Sequence, residues 1–496
     1  MSVRAGTATT FVGAAGSAVR LDYSLLRRAL LIAGLSLQFL TPLAHDPLEF
    51  GVGLLVPWIL MLIVGTPNMP AAFSYFVLWQ WLEVFAREII TFFNDESIFN
   101  GVYGPTVGDA YWYMLASLAI LAVGFRLALS GIREPAGGLR LVHRGWRTAD
   151  LFACYLVTFA ISCAYSYGVN ALPSIDQQIE ALSRLKILAL VLLFANVLSS
   201  RKNWQFLLAA VAIEFMSGFG GLFSDFKQLF IVLAVAALAQ RIKWSGSLAF
   251  GLVAWAGIAL GLALFWTSVK TDYRQFATNS DESQWIKVSL AGRYTFLGSK
   301  AAELGDIDWD TAAYALVNRI AYVDVLGSVI SVQEMGPAND YPRQWMEAID
   351  HILMPRILFP DKAALSDTDV YVRLALGNVS EDMRLGTSIS VGYMSENYAD
   401  FGFPGMLLGV FALGLMVGSM SRYFMMCPLP WMVREGIVLG LVYTCGNTGV
   451  EMSLPKIIGA AMMYFIIFAL LVRFVFGGIW RWLENRATFG NPVRPP

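Results

Sequence analysis

Apolar runs separated by short polar loops recur along this chain. They lie near residues 26–43, 48–65, 71–90, 109–129, 149–168, 184–199, 204–222, 226–240, 245–269, 402–420, 432–448 and 455–477. About 20 mostly apolar residues are what a helix needs to cross a bilayer. The pattern predicts an all-α polytopic membrane protein with about twelve transmembrane helices, of which 184–199 and 226–240 are short. One interruption breaks the rhythm, from Lys270 to about Asp400. A connection of that length is either functional or disordered. This one is rich in Tyr, Trp, Arg and Asp and lacks runs of Ser and Gly, which predicts a folded segment. Within it, Ala312, Ala313, Leu316, Ile320 and Val323 follow helical three- and four-residue spacing, interrupted by Arg319 and Asp324. A second short helix is predicted over 345–353. Both read as amphipathic helices on the membrane surface. The chain thus divides into a bundle of nine spans (1–269), a large loop (270–400), and the last spans with a tail (401–496).

Basic residues set the orientation. With twelve spans, one side collects Arg133, Arg140, Arg144, Arg147, Arg201, Lys202, Arg241, Lys243, Arg422 and Arg434, together with both basic termini. The opposite short loops carry Asp46, Glu49, Asp95, Glu96, Asp176 and Glu180. This agreement places both termini in the cytoplasm and the large loop outside. The first apolar run follows Arg27 and Arg28 without a convincing cleavage site, so no cleavable signal peptide is expected. Charged residues make up 14% of the chain and hydrophobic ones 57%, far from the roughly 25% charge of soluble domains. A net charge of −1 implies no general attraction to nucleic acid. Four cysteines suggest no disulfide framework.

The candidate chemistry lies in the loop and its flanks. Lys270, Arg274, Arg293, Arg319, Arg356, Lys362, Arg373 and Arg384 put positive charge on the side that topology disfavours. Any single arginine there is ordinarily explained by a neighbouring carboxylate, but the group as a whole points to anion binding. Arginine suits bidentate contact with phosphate oxygens, so a diphosphate-linked lipid would account for several of them. The helix starts at Ser224–Asp225 and at Gly402–Phe403–Pro404–Gly405 would face the same side and offer free N–H groups to an anion. Within the spans, Glu83 and Arg87 are expected to pair at i, i+4. Glu214 has no evident partner in sequence and is a candidate for facing a substrate cavity. Asp306–Ile307–Asp308 and Asp367–Thr368–Asp369 are DxD strings, but solvated loops often carry such strings, so no metal is expected. His351 is a candidate general base. Without a phosphate-binding glycine loop or a CxxC pair, neither ATP-driven nor redox chemistry is expected, nor any cofactor.

The stretch Met354-Pro355-Arg356-Ile357-Leu358-Phe359-Pro360-Asp361-Lys362 resembles the IPR-x-L-x-P-x-K-P element of Wzy-type polysaccharide polymerases, with Ala363 where that family often has proline. Gly386-Thr387-Ser388-Ile389, Glu396-Asn397-Tyr398, Phe401-Gly402 and Gly405 follow in similar order, and Lys270 to Arg274 reads K-x-x-Y-R after the ninth span. The resemblance covers the second half of the chain in detail and the first half only as a hydrophobic pattern.

The resemblance implies a GT-C-like helical fold in a bacterial inner membrane, with the active site facing the periplasm. It implies transfer of a growing glycan from undecaprenyl diphosphate to a new lipid-linked repeat unit, without metal. Lys270, Arg274, Arg319, Arg356, Lys362 and Arg384 would then contact the diphosphate. Glu396 would be the base, with Asp324 and His351 as alternatives, and Tyr398 would stack on sugar. Implied partners are the undecaprenyl-diphosphate-linked oligosaccharide and membrane lipid, with a chain-length regulator and a flippase as candidates. Three readings compete: an O-antigen ligase, a secondary transporter and a structural scaffold. Against a transporter stand the large loop and the lack of paired halves with matching broken helices.

Overall fold

The computed structural model describes residues 21–100, 104–132, 146–168, 176–221, 227–241, 245–279, 286–336, 343–354, 359, 366–377, 389–446 and 449–490. Among these residues the regular structure is entirely helical. The helices are α1 (Tyr23–Leu37), α2 (Pro47–Val64), α3 (Ala71–Asn94), α4 (Thr106–Ala128), α5 (Thr148–Gly168), α6 (Asp176–Ser183), α7 (Leu185–Ser200), α8 (Trp204–Phe219), α9 (Lys227–Gln240) and α10 (Gly246–Thr278). The large loop supplies α11 (Leu290–Ala302), α12 (Trp309–Ile320), α13 (Val323–Met335), α14 (Arg343–Leu353) and α15 (Asp367–Ala375). Then come α16 (Tyr393–Met426), α17 (Trp431–Gly446), α18 (Leu454–Phe474) and α19 (Phe476–Gly490).

Helices lie at all twelve places where the apolar runs predict them. Eight candidate segments are long and apolar enough to cross a membrane, or nine if the bent pair α12–α13 counts as one. That is compatible with a multi-pass membrane protein. The other four fall short for visible reasons. α3 carries Glu83, Arg87 and Glu88 in its interior, and α8, α9 and α17 have 16, 14 and 16 residues.

Side chains set several helix starts. Asp22 accepts the Leu25 N–H at 2.9 Å, Ser245 the Leu248 N–H at 3.2 Å, and Ser366 the Asp369 N–H at 3.2 Å. Each satisfies an N–H that the first turn leaves without a partner. α17 is buried on almost every side, as a helix apolar all round must be. It packs against α3, α7, α16 and α18. α4 and α16 approach closely along a seam of small residues: a Cβ on Gly414 would lie 2.8 Å from the Leu121 carbonyl oxygen, and one on Gly124 3.0 Å from that of Phe411. Small residues permit this contact where helices pack in lipid.

The loop does not form a separate head. α12 packs on α10 and α3, and α13 packs on α4. The pair bends by 54°. Its corner reaches into the bundle, where the Tyr322 N–H donates to the Glu83 carbonyl at 3.2 Å and Thr106 donates to the Gly327 carbonyl at 2.9 Å. Helices lying flat on a surface would not make these contacts. The boundaries expected at 269/270 and 400/401 fall inside α10 and α16. α10 has 33 residues, about 50 Å at 1.5 Å per residue, so it continues well past a bilayer's hydrocarbon core. α16 bends at Gly402 and Phe403, whose backbone is not helical. Its first part turns back, so that a Cβ on Gly409 would collide with the Asn397 side chain.

Candidate functional site

The site is organised by a short strap, residues 449–453, between α17 and α18. Three contacts pin it. The Val450 N–H donates to Glu83 at 2.7 Å, the Tyr393 N–H donates to the Met452 carbonyl at 2.9 Å, and the Leu454 N–H donates to Glu396 at 2.5 Å. Glu83 and Glu396 are both buried. Gly449 has φ +75°, and a Cβ there would stand 1.9 Å from both Glu83 carboxylate oxygens. Glycine supplies the left-handed backbone and the room for the carboxylate at once.

Beside the strap opens a cavity of about 230 Å³, lined among others by Arg343, Glu347, Asp367, Arg373, Glu396 and Ser453. Asp400 positions one wall by accepting the N–H groups of Gln344 (3.0 Å) and Trp345 (2.9 Å) at the start of α14. The Trp345 indole donates to Asn397 at 2.9 Å. Arg343 pairs with Glu347 at 2.8 Å. Arg373 has a buried Nη2 with no hydrogen-bond partner among the described residues. Burial, then the neighbouring Arg343 charge, lowers its affinity for its proton. Asp367 accepts from Ser453 at 3.1 Å and pairs with Lys456 at 2.5 Å.

Outside the cavity lining, cations converge. Lys270 and Arg274 are one turn apart on α10, and Arg319, near the end of α12, is close enough for its charge to act on both. Among the described residues, no carboxylate comes within ion-pair distance of Lys270 or Arg319. Glu451, on the strap, is within electrostatic reach of this group and of the cavity wall. The charges of Arg319, Lys227, Asp367 and Lys456 all act on it, and burial pushes its carboxyl up from its ordinary value.

Of the residues singled out in sequence, the structure brings Lys270, Arg274 and Arg319 together and puts Glu396 on the cavity wall. Arg356, Lys362 and Arg384 lie outside the described residues, as does Ser224–Asp225. Asp324 is held by Arg87 at 3.4 Å. The expected Glu83–Arg87 pair does not form: each finds a partner on another element, Glu83 at Val450 and Arg87 at Asp324. His351 lies against Gly459 of α18. Tyr398 stacks at 6.0 Å on Tyr113, which stacks at 4.0 Å on Phe403. Glu214 does have partners, Tyr155 at 3.0 Å and Lys186 at 2.9 Å, and it is not among the residues that meet at the strap. Asp308 caps α12 by accepting the Thr311 N–H at 3.1 Å. Among the described residues, no three His, Cys, Asp or Glu side chains are grouped as metal ligands would be. Sequence reasoning missed Glu451, Glu347 and Arg343. The available signal for Glu451 was a lone carboxylate in the short gap between two apolar runs.

Neither a curated protein nor a solved structure is detectably similar to this chain. A domain of unknown function, DUF8712, matches residues 142–424, a stretch that includes the cation group, α14, α15 and Glu396. That match covers more than half of the sequence, and the chain belongs to the DUF8712 family.

Proposed function

We propose that this chain is a membrane glycosyltransferase of the repeat-unit polymerase type. It transfers a growing glycan from undecaprenyl diphosphate to a new lipid-linked repeat unit. In this reading twelve helices cross a bacterial inner membrane in a GT-C-like arrangement, and the face bearing α11–α15 is periplasmic. One observation carries the proposal: Lys270 and Arg274 of α10 converge with Arg319 of α12, and among the described residues no carboxylate lies within ion-pair distance of Lys270 or Arg319. Like charges gathered in this way repel unless an anion joins them. A diphosphate is such an anion, and as a leaving group it gains charge while the glycosidic bond breaks. Cations already in place stabilise that charge without reorganisation. The cavity beside the strap, which mixes arginines and carboxylates, suits the hydroxyl-rich acceptor end of a repeat unit.

The test is the lipid-linked glycan ladder in a deletion strain of the source organism. Accumulated single repeat units support a polymerase. Long chains left on the lipid carrier indicate a ligase, and an unchanged ladder contradicts the proposal. In complemented cells, Arg319→Ala is expected to abolish polymer at normal protein levels. Arg319→Lys is expected to restore little, because lysine lacks the planar fork.

A further inference from the structure

We infer that Glu451 is the general base that activates the acceptor hydroxyl; this rests on the transferase reading above. Three features of its placement carry the inference. First, Glu451 is within electrostatic reach of both halves of the site. Arg319 of the cation group and Asp367 of the cavity wall both act on it, as do Lys227 and Lys456. A group that takes a proton from the acceptor while the donor's diphosphate departs must face both. Second, its backbone is fixed. The contacts to Glu83, Tyr393 and Glu396 hold residues 450, 452 and 454 on either side of it. Reacting groups need this pre-organisation. Third, its carboxylate has no hydrogen-bond or ion-pair partner among the described residues, whereas the other candidates are engaged. Glu396 accepts the Leu454 N–H, Asp324 faces Arg87, and His351 packs against α18.

The step balances. The acceptor oxygen forms a bond to the anomeric carbon as the bond from that carbon to the diphosphate oxygen breaks. The diphosphate leaves with the electron pair toward Lys270, Arg274 and Arg319. The hydroxyl proton passes to the Glu451 carboxylate and then to water. Glu396 is a positioning residue in this scheme, because its contact with Leu454 holds the strap.

The experiment uses the full chain in lipid nanodiscs, with lipid-linked repeat units extracted from the deletion strain. Glu451→Gln is expected to lower the turnover rate by about a hundredfold or more, the usual scale of general-base catalysis, with KM nearly unchanged. Glu451→Asp is expected to retain more activity than Glu451→Gln. The wild-type rate should fall as pH drops through a value above the usual carboxylate range. Arg319, Lys227, Lys456, Asp367, Glu83 and Tyr322 also bear on this titration. Glu451→Gln should lose that acid limb. A Glu451→Gln rate within about threefold of wild type would overturn the assignment, as would a loss confined to KM. If neither variant folds, a wild-type rate flat from about pH 5 to 8 would overturn it as well. Failure of the wild-type protein to elongate at all would instead overturn the transferase reading, and the base with it.

Discussion

At the residue scale, the site depends on side chains whose partners lie far away in sequence. Glu83 and Val450 are 367 residues apart. Nothing local marks Glu83 as the support of a distant strap, and its i, i+4 neighbour Arg87 suggests a different pairing. The cations were legible as a group, because so many in one interruption between apolar runs must be held by something. Glu451 was not, because a single carboxylate in a short loop looks like ordinary solvated polarity. Gly449→Ala tests the strap. A non-glycine residue in the left-handed region costs about 1–2 kcal/mol, and here its Cβ would also displace the Glu83 carboxylate. A lower unfolding temperature in detergent and a large loss of activity are expected together. The DxD strings yield a second residue-scale prediction. Asp308→Asn should retain most activity, since an asparagine caps a helix nearly as well as aspartate does. Elongation should persist in excess EDTA. Complete inhibition by EDTA, restored by magnesium, would move the chemistry toward a metal.

At the element scale, helical periodicity located α12 and the short helix near α14, and the helical content of the loop was readable from spacing alone. Where those helices would sit was not readable. Amphipathic spacing cannot distinguish a helix lying on lipid from one whose apolar side enters a protein bundle, and α12–α13 does the latter. The bend of α16 was signalled by Gly402 and Pro404, yet its first part was read as loop, because residues 393–401 look polar next to the span that follows. That polar half carries Glu396, Asn397, Tyr398 and Asp400. Gly402 has φ +61°, and a Cβ there would meet nothing within 4 Å, so the constraint is purely conformational. Gly402→Ala is therefore expected to cost activity through a misdirected first half of α16, more than through crowding. Reduced protection of the Trp345 region in hydrogen exchange would check this, because Asn397 and Asp400 anchor that end of α14.

At the scale of the whole molecule, the order and class of the elements followed from the apolar runs. The basic residues from which a sidedness was expected also make internal contacts. Arg486 pairs with Asp150 at 2.7 Å, and Arg422 donates to the Ala128 carbonyl at 3.2 Å. The number of crossings was less legible, because buried helices such as α3 and α17 need not be uniformly apolar or full length when neighbouring helices surround them. A single cysteine at Ser299, on exposed α11, in a background lacking the four native cysteines, tests the sidedness. It should react with an impermeant thiol reagent in intact spheroplasts. The central claim is a transferase whose converging cations hold a diphosphate, and the most direct measurement is elongation by the purified protein in nanodiscs supplied only with lipid-linked repeat units. The account predicts a ladder of longer lipid-linked glycans from the wild-type protein and none from Arg319→Ala. Absence of elongation by the wild-type protein, or a normal ladder from Arg319→Ala, would contradict it.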